Sequence, residues 1–477
     1  MDFNFNNTYT TLPAELFSPS LPAAVSKPQL LVWNNILARE LGLNADNTGD
    51  LASVFSGNTS IPGSACIAQA YGGHQFGYFN KLGDGRAILL GEQITPSGKR
   101  YDLQFKGSGI TPYSRRGDGK ATLVSMLREY IISEAMHGLG IPTTRSLAVV
   151  ATGEKVYREQ VQPGAVLTRV AASHIRVGTF EYAARFCSTE TLMALTQYVI
   201  KRHYPEIAEE KKPALALLEK VMYKQLDLIV NWMRVGFIHG VMNTDNMSIS
   251  GETIDYGPCA FMNTYKPETV FSSIDTGGRY AFGNQAAIAA WNLSRLAEAL
   301  LPLIDTNTDK AIQLATDLLY NFQPEFDKKY LQMMAAKIGI SDATENDRTL
   351  INELMNWMYN HNADYTNTFL KLMYPDKIND LVYNNSGFVN WQQKLKLRIT
   401  NTDAALTCMQ ANNPIYIPRN QKVEEILEQT QQTGQTDTLY KWVELLSNPY
   451  NSTDFLSEFM LCPDILDEQD YKTYCGT

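Results

Sequence analysis

Alternating apolar and polar side chains predict a strand-rich first part of the chain. Residues 100–106 alternate with a period of two, so that apolar side chains share one face and polar ones share the other, which ends at Lys106. Residues 86–92 form a second strand pattern, and the turn sequence Pro96-Ser97-Gly98 lies between the two patterns. The sequence therefore predicts a hairpin over residues 86–106.

Apolar residues at helical spacing predict helices in other parts of the chain. Residues 122–137 place Leu123, Leu127 and Ile131 on one stripe, and residues 29–41 show a similar spacing. Strand patterns return at 145–150 and 166–170. After about residue 190 the sequence is mostly helical, and the predicted helices cover 191–203, 214–235, 286–303, 308–321 and 423–432.

The order of these patterns predicts an α+β fold with two lobes. Strands come first and helices follow, which favours a strand-rich N-terminal lobe and a mainly helical C-terminal lobe. A chain of 477 residues also exceeds the size at which one core stops growing, about 250–300 residues. We place the boundary between residues 1–165, which include an N-terminal extension, and residues 166–477, which include a C-terminal tail.

The amino-acid composition of the chain argues against several classes of function. The chain carries 41 basic and 50 acidic side chains, and a net charge of −9 argues against a general nucleic-acid binder. Long apolar runs and a secretory signal pattern are both missing from the sequence, so we expect no membrane partner. The six cysteines show no metal-ligand spacing, which favours reduced thiols and a cytoplasmic location.

Two glycine-rich segments are candidates for phosphate binding. Residues 103–120 combine Lys106, Arg115 and Arg116 with several glycines directly after a strand pattern. Cations can balance polyphosphate charge, and glycines let the backbone approach the phosphates. The earlier turn Gly83-Asp84-Gly85-Arg86 could form a lid over phosphates, although such turns are also common between strands.

Three further elements carry charged or oxygen-rich side chains. Glu129 lies in a predicted helix and could hold Lys106 by an ion pair, unless both are solvated surface charges. The loop from His239 to Asn246 offers oxygen ligands for Mg²⁺ and a base, or else an Asx-turn. The sequence Asp255-Tyr-Gly could carry a metal ion, or could be merely a turn.

The order of these elements is the order of parts in protein kinases. A glycine loop, a strand lysine, a helix glutamate, an asparagine-containing loop and an Asp-Tyr-Gly element follow one another. In a kinase the catalytic aspartate lies five residues before the metal-binding asparagine, and here that position is Val241. Valine can neither accept a proton nor bind a metal ion. The sequence therefore predicts a kinase-like chain without the kinase base.

Longer motifs resemble those of the selenoprotein O family. They are Tyr71-Gly-Gly-His-Gln-Phe-Gly, Leu82-Gly-Asp-Gly-Arg-Ala, Leu103-Gln-Phe-Lys-Gly-Ser-Gly, Thr111-Pro-Tyr-Ser-Arg-Arg-Gly-Asp-Gly, His239-Gly-Val-Met-Asn-Thr-Asp-Asn-Met-Ser and Asp255-Tyr-Gly-Pro. The resemblance implies a bilobal protein-kinase-like fold. It also implies a pseudokinase that binds ATP in reversed orientation and transfers AMP to protein hydroxyls.

The resemblance also assigns roles to individual residues. Asp245 would accept the proton from the hydroxyl, Asn246 and Asp255 would hold Mg²⁺ or Mn²⁺, and Glu129 would position Lys106. From the sequence alone, the two arginines at positions 169 and 176 would instead be surface cations. The nucleotide contacts implied by the resemblance are Gly83, Gly85, Arg86, Lys106, Asp118, Gly119, Arg169, Arg176 and Asp255.

The expected function is a protein adenylyltransferase that uses ATP and modifies Ser, Thr or Tyr residues of proteins, including its own chain. The alternatives are an ATP-dependent phosphotransferase and a non-catalytic ATP-binding scaffold. Residues 271–275 depart from a cysteine-containing segment of many bacterial relatives. Cys475 occupies the position of the family's selenocysteine, and Cys259 is the candidate partner for redox control.

Overall fold

The computed structural model describes residues 2–43, 50–451, 459–460 and 471–473. The strands are β1 (Phe17–Pro19), β2 (Gln29–Trp33), β3 (Ile67–Gln69), β4 (Gly72–Gln75), β5 (Tyr78–Lys81), β6 (Ala87–Ile94), β7 (Arg100–Lys106), β8 (Ala121–Thr122), β9 (Arg145–Tyr157), β10 (Val161–Ala171), β11 (Phe237–Ile238) and β12 (Ala260–Phe261). The helices are α1 (Asn35–Glu40), α2 (Leu51–Ser56), α3 (Leu123–Gly138), α4 (Val177–Phe186), α5 (Thr189–His203), α6 (Pro213–Val235), α7 (Gln285–Ile304), α8 (Thr308–Leu319), α9 (Phe322–Lys337), α10 (Asp347–Asn360), α11 (Tyr365–Met373), α12 (Ser386–Arg398), α13 (Thr402–Asn412), α14 (Asn420–Thr433) and α15 (Asp437–Ser447).

The N-terminal lobe is built on an eight-stranded antiparallel sheet. Its order is β1-β3-β6-β7-β10-β9-β2, and β8 pairs with β10 outside this path. The predicted hairpin over residues 86–106 is confirmed as β6 and β7, with Ala87 opposite Lys106. Because β7 lies between β6 and β10, both of its edges are hydrogen-bonded, and Lys106 is held on a central strand.

Both faces of β7 are buried. Leu103 and Phe105 belong to a small apolar cluster that includes residues of α1 and α2. On the opposite face Asp102, Gln104 and Lys106 are also buried, beneath the side covered by α3. The predicted alternation is therefore confirmed, but the polar face lies inside the protein, where its charges need partners.

The helix predicted over residues 29–41 is wrong in its first part. Residues 29–33 form β2, which pairs with β9, and α1 begins only after Asn34. The side chain of Asn34 accepts a hydrogen bond from Leu37 N at 3.0 Å, which caps the helix. The apolar run before Asn34 fits either a strand or a helix, and pairing with β9 decides for the strand.

The second half of the chain is helical, and the α+β prediction is confirmed. The helices α14 and α15 return to pack against α3, and Tyr440 Oη lies 2.9 Å from Trp33 N, so the last helices touch the N-terminal lobe. The predicted boundary after residue 165 falls inside β10 and stays a prediction.

One described segment, Phe282–Ile304, is long and apolar enough to cross a membrane by length and composition. In the fold 44% of the most apolar 18-residue window of that segment is buried, and α7, which forms most of the segment, packs against α4, α6 and α8. It therefore serves as a packed helix of the C-terminal lobe.

The described end of the chain lies against the segment that follows Asp255. Thr473 forms a parallel bridge with Ser272, and its Oγ1 donates to the carbonyl of Pro258 at 2.7 Å. Tyr471 Oη contacts Arg128 of α3 at 3.2 Å. Cys475, named as a redox candidate, lies outside the described residues.

Candidate active site

Two cations and two carboxylates meet where α3 faces β7 and β10. Lys106 Nζ donates to Glu129 Oε2 at 2.7 Å, which is the predicted strand–helix ion pair. Arg169 Nε lies 2.7 Å from Glu129 Oε1, and its Nη2 lies 2.8 Å from Asp255 Oδ1. Lys106 also contacts Asp255 Oδ1. We call these four residues the cation–carboxylate cluster.

Lys106, Glu129 and Arg169 of the cluster are buried, which excludes the alternative that Lys106 and Glu129 are solvated surface charges. Lys106 is 6% exposed and Arg169 is 1% exposed. Burial alone would raise the pKa of Glu129, but Arg169 and then Lys106 outweigh it and lower that pKa. Lys106 and Arg169 likewise hold the pKa of Asp255 well below its usual range, against the effect of burial. Both acids are therefore ionised at neutral pH.

Asp255 is also unusual in its backbone. Its φ of +67° lies in the left-handed region, which a residue with a Cβ rarely adopts. The following Gly257 N donates to the Asp255 carbonyl at 2.8 Å and closes a tight turn. Such strain persists where the surrounding contacts fix the residue, and here it directs the carboxylate at two cations.

Arg176 forms a second cationic position at the start of α4. It is 3% exposed, its Nη1 donates to the Asp245 carbonyl at 2.9 Å, and its Nη2 lies 3.7 Å from Asp84 Oδ1. Its guanidinium carbon lies 4.4 Å from the ring centroid of Tyr71. Burial raises the pKa of Asp84 to about 6, although Arg176 opposes that rise. Arg176 therefore links the glycine turn before β6 to the Asp245 loop.

The loop from His239 to Asn246 is held by hydrogen bonds within the loop and to the nearby Ile254. His239 is fully buried, and its Nε2 lies 2.9 Å from the Ile254 carbonyl. Asn246 Nδ2 donates to the Val241 carbonyl at 3.0 Å, so the amide oxygen of Asn246 points away from that bond. Val241, at the kinase base position, is buried and contributes its backbone oxygen to this support.

Asp245 lies in a confined place on this loop. Its Oδ1 is buried without a hydrogen-bond partner among the described residues. Burial raises the pKa of Asp245 to about 7, while Arg176 acts in the opposite direction. A Cβ on Gly73 of β4 would lie 2.6 Å from Asp245 Oδ1, so the hairpin of β4 and β5 closes one side of the carboxylate.

The glycine turn and the loop after β7 are joined to each other. Thr111 Oγ1 donates to the Asp84 carbonyl at 2.7 Å, and Ser114 contacts the Gly85 carbonyl. A Cβ on Gly83 would lie 2.4 Å from the ring of Tyr113. These contacts hold the two glycine-rich segments side by side, as a phosphate-binding pair of loops requires.

The remaining predicted contacts sit at the edges of this arrangement. The Arg86 carbonyl accepts from Gly107 N at 2.7 Å. Asp118 forms two hydrogen bonds of 2.9 Å with Arg158 near the turn of β9 and β10. Gly119 has a φ of +67°, and a Cβ there would lie 2.1 Å from the Gly109 carbonyl oxygen. Asp118 is therefore placed against Arg158, and its nucleotide contact stays a prediction.

The oxygen atoms of this region fit a divalent cation bound together with phosphates. Among the described residues, no three histidines, cysteines or acids gather in one metal-binding group. Mg²⁺ typically uses one or two protein oxygens plus substrate phosphates and water. Asn246 Oδ1 and the carboxylate of Asp255, which is 28% exposed, are donors of that kind. The donor set therefore suits a metal ion that arrives with a nucleotide.

The predicted redox partner Cys259 is fully buried, and burial raises the pKa of its thiol to about 12. A thiol held protonated reacts slowly, because the thiolate is the nucleophile in disulfide exchange. None of the four described cysteines, Cys66, Cys187, Cys259 and Cys408, forms a disulfide.

Comparison with known proteins places the chain in a family. The sequence model described as "Protein adenylyltransferase SelO" matches residues 1–447. The chain belongs to the SelO family. The selenoprotein O resemblance of its motifs is thereby confirmed, and the Lys106–Glu129 ion pair beside Asp255 of the Asp-Tyr-Gly element agrees with the kinase-like order of parts in this SelO chain.

Relatives of the SelO chain are similar over their whole lengths. A protein of Brevibacillus brevis is 54% identical over 481 residues, which cover 100% of this chain and 98% of that protein. A protein of Anoxybacillus flavithermus is 53% identical, with 100% and 99% covered. Both are described as "Protein nucleotidyltransferase YdiU". The kinase-fold protein ROP2 of Toxoplasma gondii covers 78% of this chain and 94% of its own, at 10% identity and a TM-score of 0.26.

Several residues around the SelO site escaped the sequence analysis. Gly73 and His74 lie in a motif quoted only as a family signature, yet they contact the Asp245 loop directly. Glu181 of α4 lies 2.5 Å from His74 Nδ1, and burial raises its pKa to about 7. Nothing in the local pattern marks Glu181, because the fold brings it to His74 from 107 positions away.

Proposed function

We propose that this chain transfers AMP from ATP to Ser, Thr or Tyr hydroxyls of proteins and releases pyrophosphate. The description of the matching family and those of the similar bacterial proteins support a nucleotidyl transfer to protein. Self-modification of an exposed hydroxyl is included in this proposal. The reaction requires a place for the β- and γ-phosphates away from the acceptor, and a base near the α-phosphate.

The cationic residues suit the first requirement. Lys106, Arg169 and Arg176 are all buried at the junction of the lobes, which is where anionic phosphates are best stabilised by preorganised cations. Asn246 and Asp255 would hold Mg²⁺ or Mn²⁺, which would offset the negative charge that develops on the phosphates. The glycine turn at Gly83 and Gly85 would cover the nucleotide.

Asp245 suits the second requirement, which is a base near the α-phosphate. The hydroxyl oxygen of the acceptor bonds to the α-phosphorus, while the bond from that phosphorus to the bridging oxygen of the β-phosphate breaks. The hydroxyl proton passes to Asp245, and the bonding pair leaves with pyrophosphate. Asp245 has a buried oxygen with no described hydrogen-bond partner, so it can accept a proton without first breaking another contact.

The observation that carries the choice of AMP over phosphate is Val241. A kinase needs an acid at this position, and here a buried valine fills it. With deep cationic sites for the outer phosphates, the α-phosphate becomes the one presented to an acceptor. Asp245, Asn246 and Asp255 all remain in place, which argues against a non-catalytic scaffold.

The test uses ATP labelled separately at the α- and γ-phosphates, with Mg²⁺ or Mn²⁺ and with the chain itself or a lysate as acceptor. We expect label to be retained from the α position and intact mass to increase by one AMP unit. Label retained only from the γ position would instead support the alternative that the chain is a phosphotransferase. Unmodified acceptors, combined with measurable ATP binding, would favour the scaffold.

We place the reaction in the cytoplasm, with protein substrates and without nucleic acid or membrane as partners. The support is the net charge of −9 and the unpaired state of the described cysteines. Fractionation of cells that produce the chain would test the location. Recovery of the active chain with the membrane fraction would contradict it.

A further inference from the structure

Cations and aromatic rings alternate on the outer side of the hairpin of β4 and β5. Lys81 Nζ lies 5.0 Å from the ring centroid of Phe186 at the end of α4. The rings of Phe186 and Phe79 lie 6.1 Å apart, and the guanidinium carbon of Arg185 lies 3.9 Å from the Phe79 ring. Lys81, Arg185 and Phe186 are exposed, so this arrangement faces solvent.

The same pattern continues on α7 and the segment before it. Trp291 packs edge-to-face on His74 at 5.3 Å, and His74 contacts Phe79 at the same distance. The guanidinium carbon of Arg279 lies 4.8 Å from the Trp291 ring. We call the whole set the cation–aromatic surface, and its members are Lys81, Phe186, Phe79, Arg185, Trp291 and Arg279.

This surface adjoins the Asp245 loop. His74 N donates to Thr244 Oγ1 at 2.7 Å, and Phe76 N donates to Asn243 Oδ1 at 3.2 Å. The hairpin that carries the surface therefore also forms one wall beside Asp245. A protein whose hydroxyl reaches Asp245 from this side must pass over the cation–aromatic surface.

The charges of the surface are not balanced by ion pairs. Within the described residues, Lys81, Arg185 and Arg279 form no ion pair, whereas the neighbouring Arg295 pairs with Glu298 at 2.9 Å. Arg279 Nε is buried and has no hydrogen-bond partner there. Three unpaired cations in one patch contrast with a chain whose net charge is −9, and they favour an anionic partner.

We propose that the cation–aromatic surface docks an acidic segment of the acceptor protein, next to the hydroxyl that is modified. The inference rests on the proposed function for its substrate, and it adds the chemical class of that substrate. Unpaired rim cations next to the catalytic loop would steer acidic segments toward it and fix their register. The rings add apolar contact for side chains between the acids.

The geometry favours protein over single-stranded nucleic acid as the partner. Nucleic-acid sites of that kind offer open ring faces on which bases stack. Here Arg185 covers the face of Phe79, and the guanidinium carbons of Arg279 and Arg295 both lie over the ring of Trp291, 4.8 Å and 5.1 Å from its centroid. The rings of this surface therefore support the cations, and the exposed Lys81 and Arg185 remain available for carboxylates.

The test measures binding separately from catalysis. Two fluorescent peptides share a central serine, one flanked by Glu and Asp and the other by Gln and Asn, and fluorescence anisotropy follows their binding to the full chain. We expect the acidic peptide to bind at least about tenfold more tightly at low salt, and this preference to shrink as salt is added.

The charge-reversed variant Lys81→Glu/Arg185→Glu is expected to lose this preference while keeping the melting temperature and calorimetric ATP affinity of the wild type. The matched control is Lys396→Glu/Lys441→Glu, which makes the same charge change at two exposed lysines on α12 and α15. The control should keep the preference for the acidic peptide.

Equal affinity for the two peptides, or a preference that survives the Lys81→Glu/Arg185→Glu exchange, would overturn the inference. So would tighter binding of a single-stranded oligonucleotide of matched charge. Intact mass of the same peptides after incubation with ATP separates the two proposals. Selective binding by a chain that transfers no AMP to either peptide, to itself or to a lysate would refute the proposed function alone, whereas equal binding and equal transfer to both peptides would refute the docking inference alone.

Discussion

At the scale of single residues, Lys106 and Arg169 each contact both carboxylates in the cation–carboxylate cluster. Arg169 contacts Glu129 and Asp255 while it is almost completely buried, and Lys106 approaches the same two acids from the strand beside it. Removing one partner from a buried ionic group leaves an unpaired charge, which typically costs about 3–5 kcal/mol. Arg169 makes more of these contacts, through both Nε and Nη2, so its loss should cost more stability than the loss of Lys106.

Lys106→Met should lower the rate of AMP transfer by about 10²-fold or more, because the substitution removes a preorganised cation from the phosphate site. The fold should remain, since Arg169 still contacts both carboxylates. Arg169→Met should lower the free energy of unfolding by about 3–5 kcal/mol. Label transfer and urea unfolding of both variants check this. AMP transfer at the wild-type rate by a correctly folded Lys106→Met variant would contradict the assignment of Lys106 to the phosphate site.

Asp255→Ala should weaken metal-dependent ATP binding more than Asp245→Ala does. A metal ligand makes charge-assisted contacts in the bound state, whereas a base contributes to proton transfer, typically about 10²–10⁴-fold in rate. Calorimetry with ATP and Mg²⁺ measures the first effect, and label transfer measures the second. ATP affinity that stays unchanged in Asp255→Ala would contradict the metal assignment.

At the scale of elements, the hairpin of β4 and β5 limits the position of Asp245. Gly73→Ala should lower AMP transfer about tenfold or more, because its Cβ would lie 2.6 Å from Asp245 Oδ1 and displace the base. ATP affinity should change little. The control is Gly277→Ala, where a Cβ would meet nothing within 4 Å. Equal losses of transfer in both variants would point to a general effect on folding.

The elements also show what the sequence could predict. Period-two alternation and turn residues are sufficient to predict the hairpin of β6 and β7. The kinase-like order of the motifs is sufficient to predict the pairing of Lys106 with Glu129. Alternation assigns side chains to faces, but it does not say whether the polar face meets water. The burial of that face, and the approach of Gly73 to Asp245, depend on tertiary contacts between distant segments.

At the scale of the whole molecule, buried carboxyl groups make stability depend on pH. Glu252 accepts hydrogen bonds from Ala172 N at 2.9 Å and Ser250 Oγ at 3.0 Å, and burial raises its pKa to about 7. In the unfolded chain the pKa of a glutamate is about 4.3. Between these values the native state binds a proton that the unfolded chain has lost, so stability from this group falls as pH rises.

Glu252→Gln should therefore gain stability relative to the wild type as pH rises. Glutamine keeps an acceptor for Ala172 N and does not ionise, so the difference in free energy of unfolding should grow by about 1–3 kcal/mol from about pH 5 to about pH 8. Urea unfolding of both proteins at several pH values measures it. A difference that stays constant with pH would show that Glu252 is ionised in the native state.

The contact of Thr473 with Pro258 also orders events during protein synthesis. Thr473 and Pro258 are 215 positions apart, so the ribosome makes the Asp255 segment long before the residue that lies against it. Every residue of the cation–carboxylate cluster is translated while that neighbour does not yet exist. The nascent chain can thus assemble its ionic centre first, and the contact with Pro258 is added only after Thr473 has been translated.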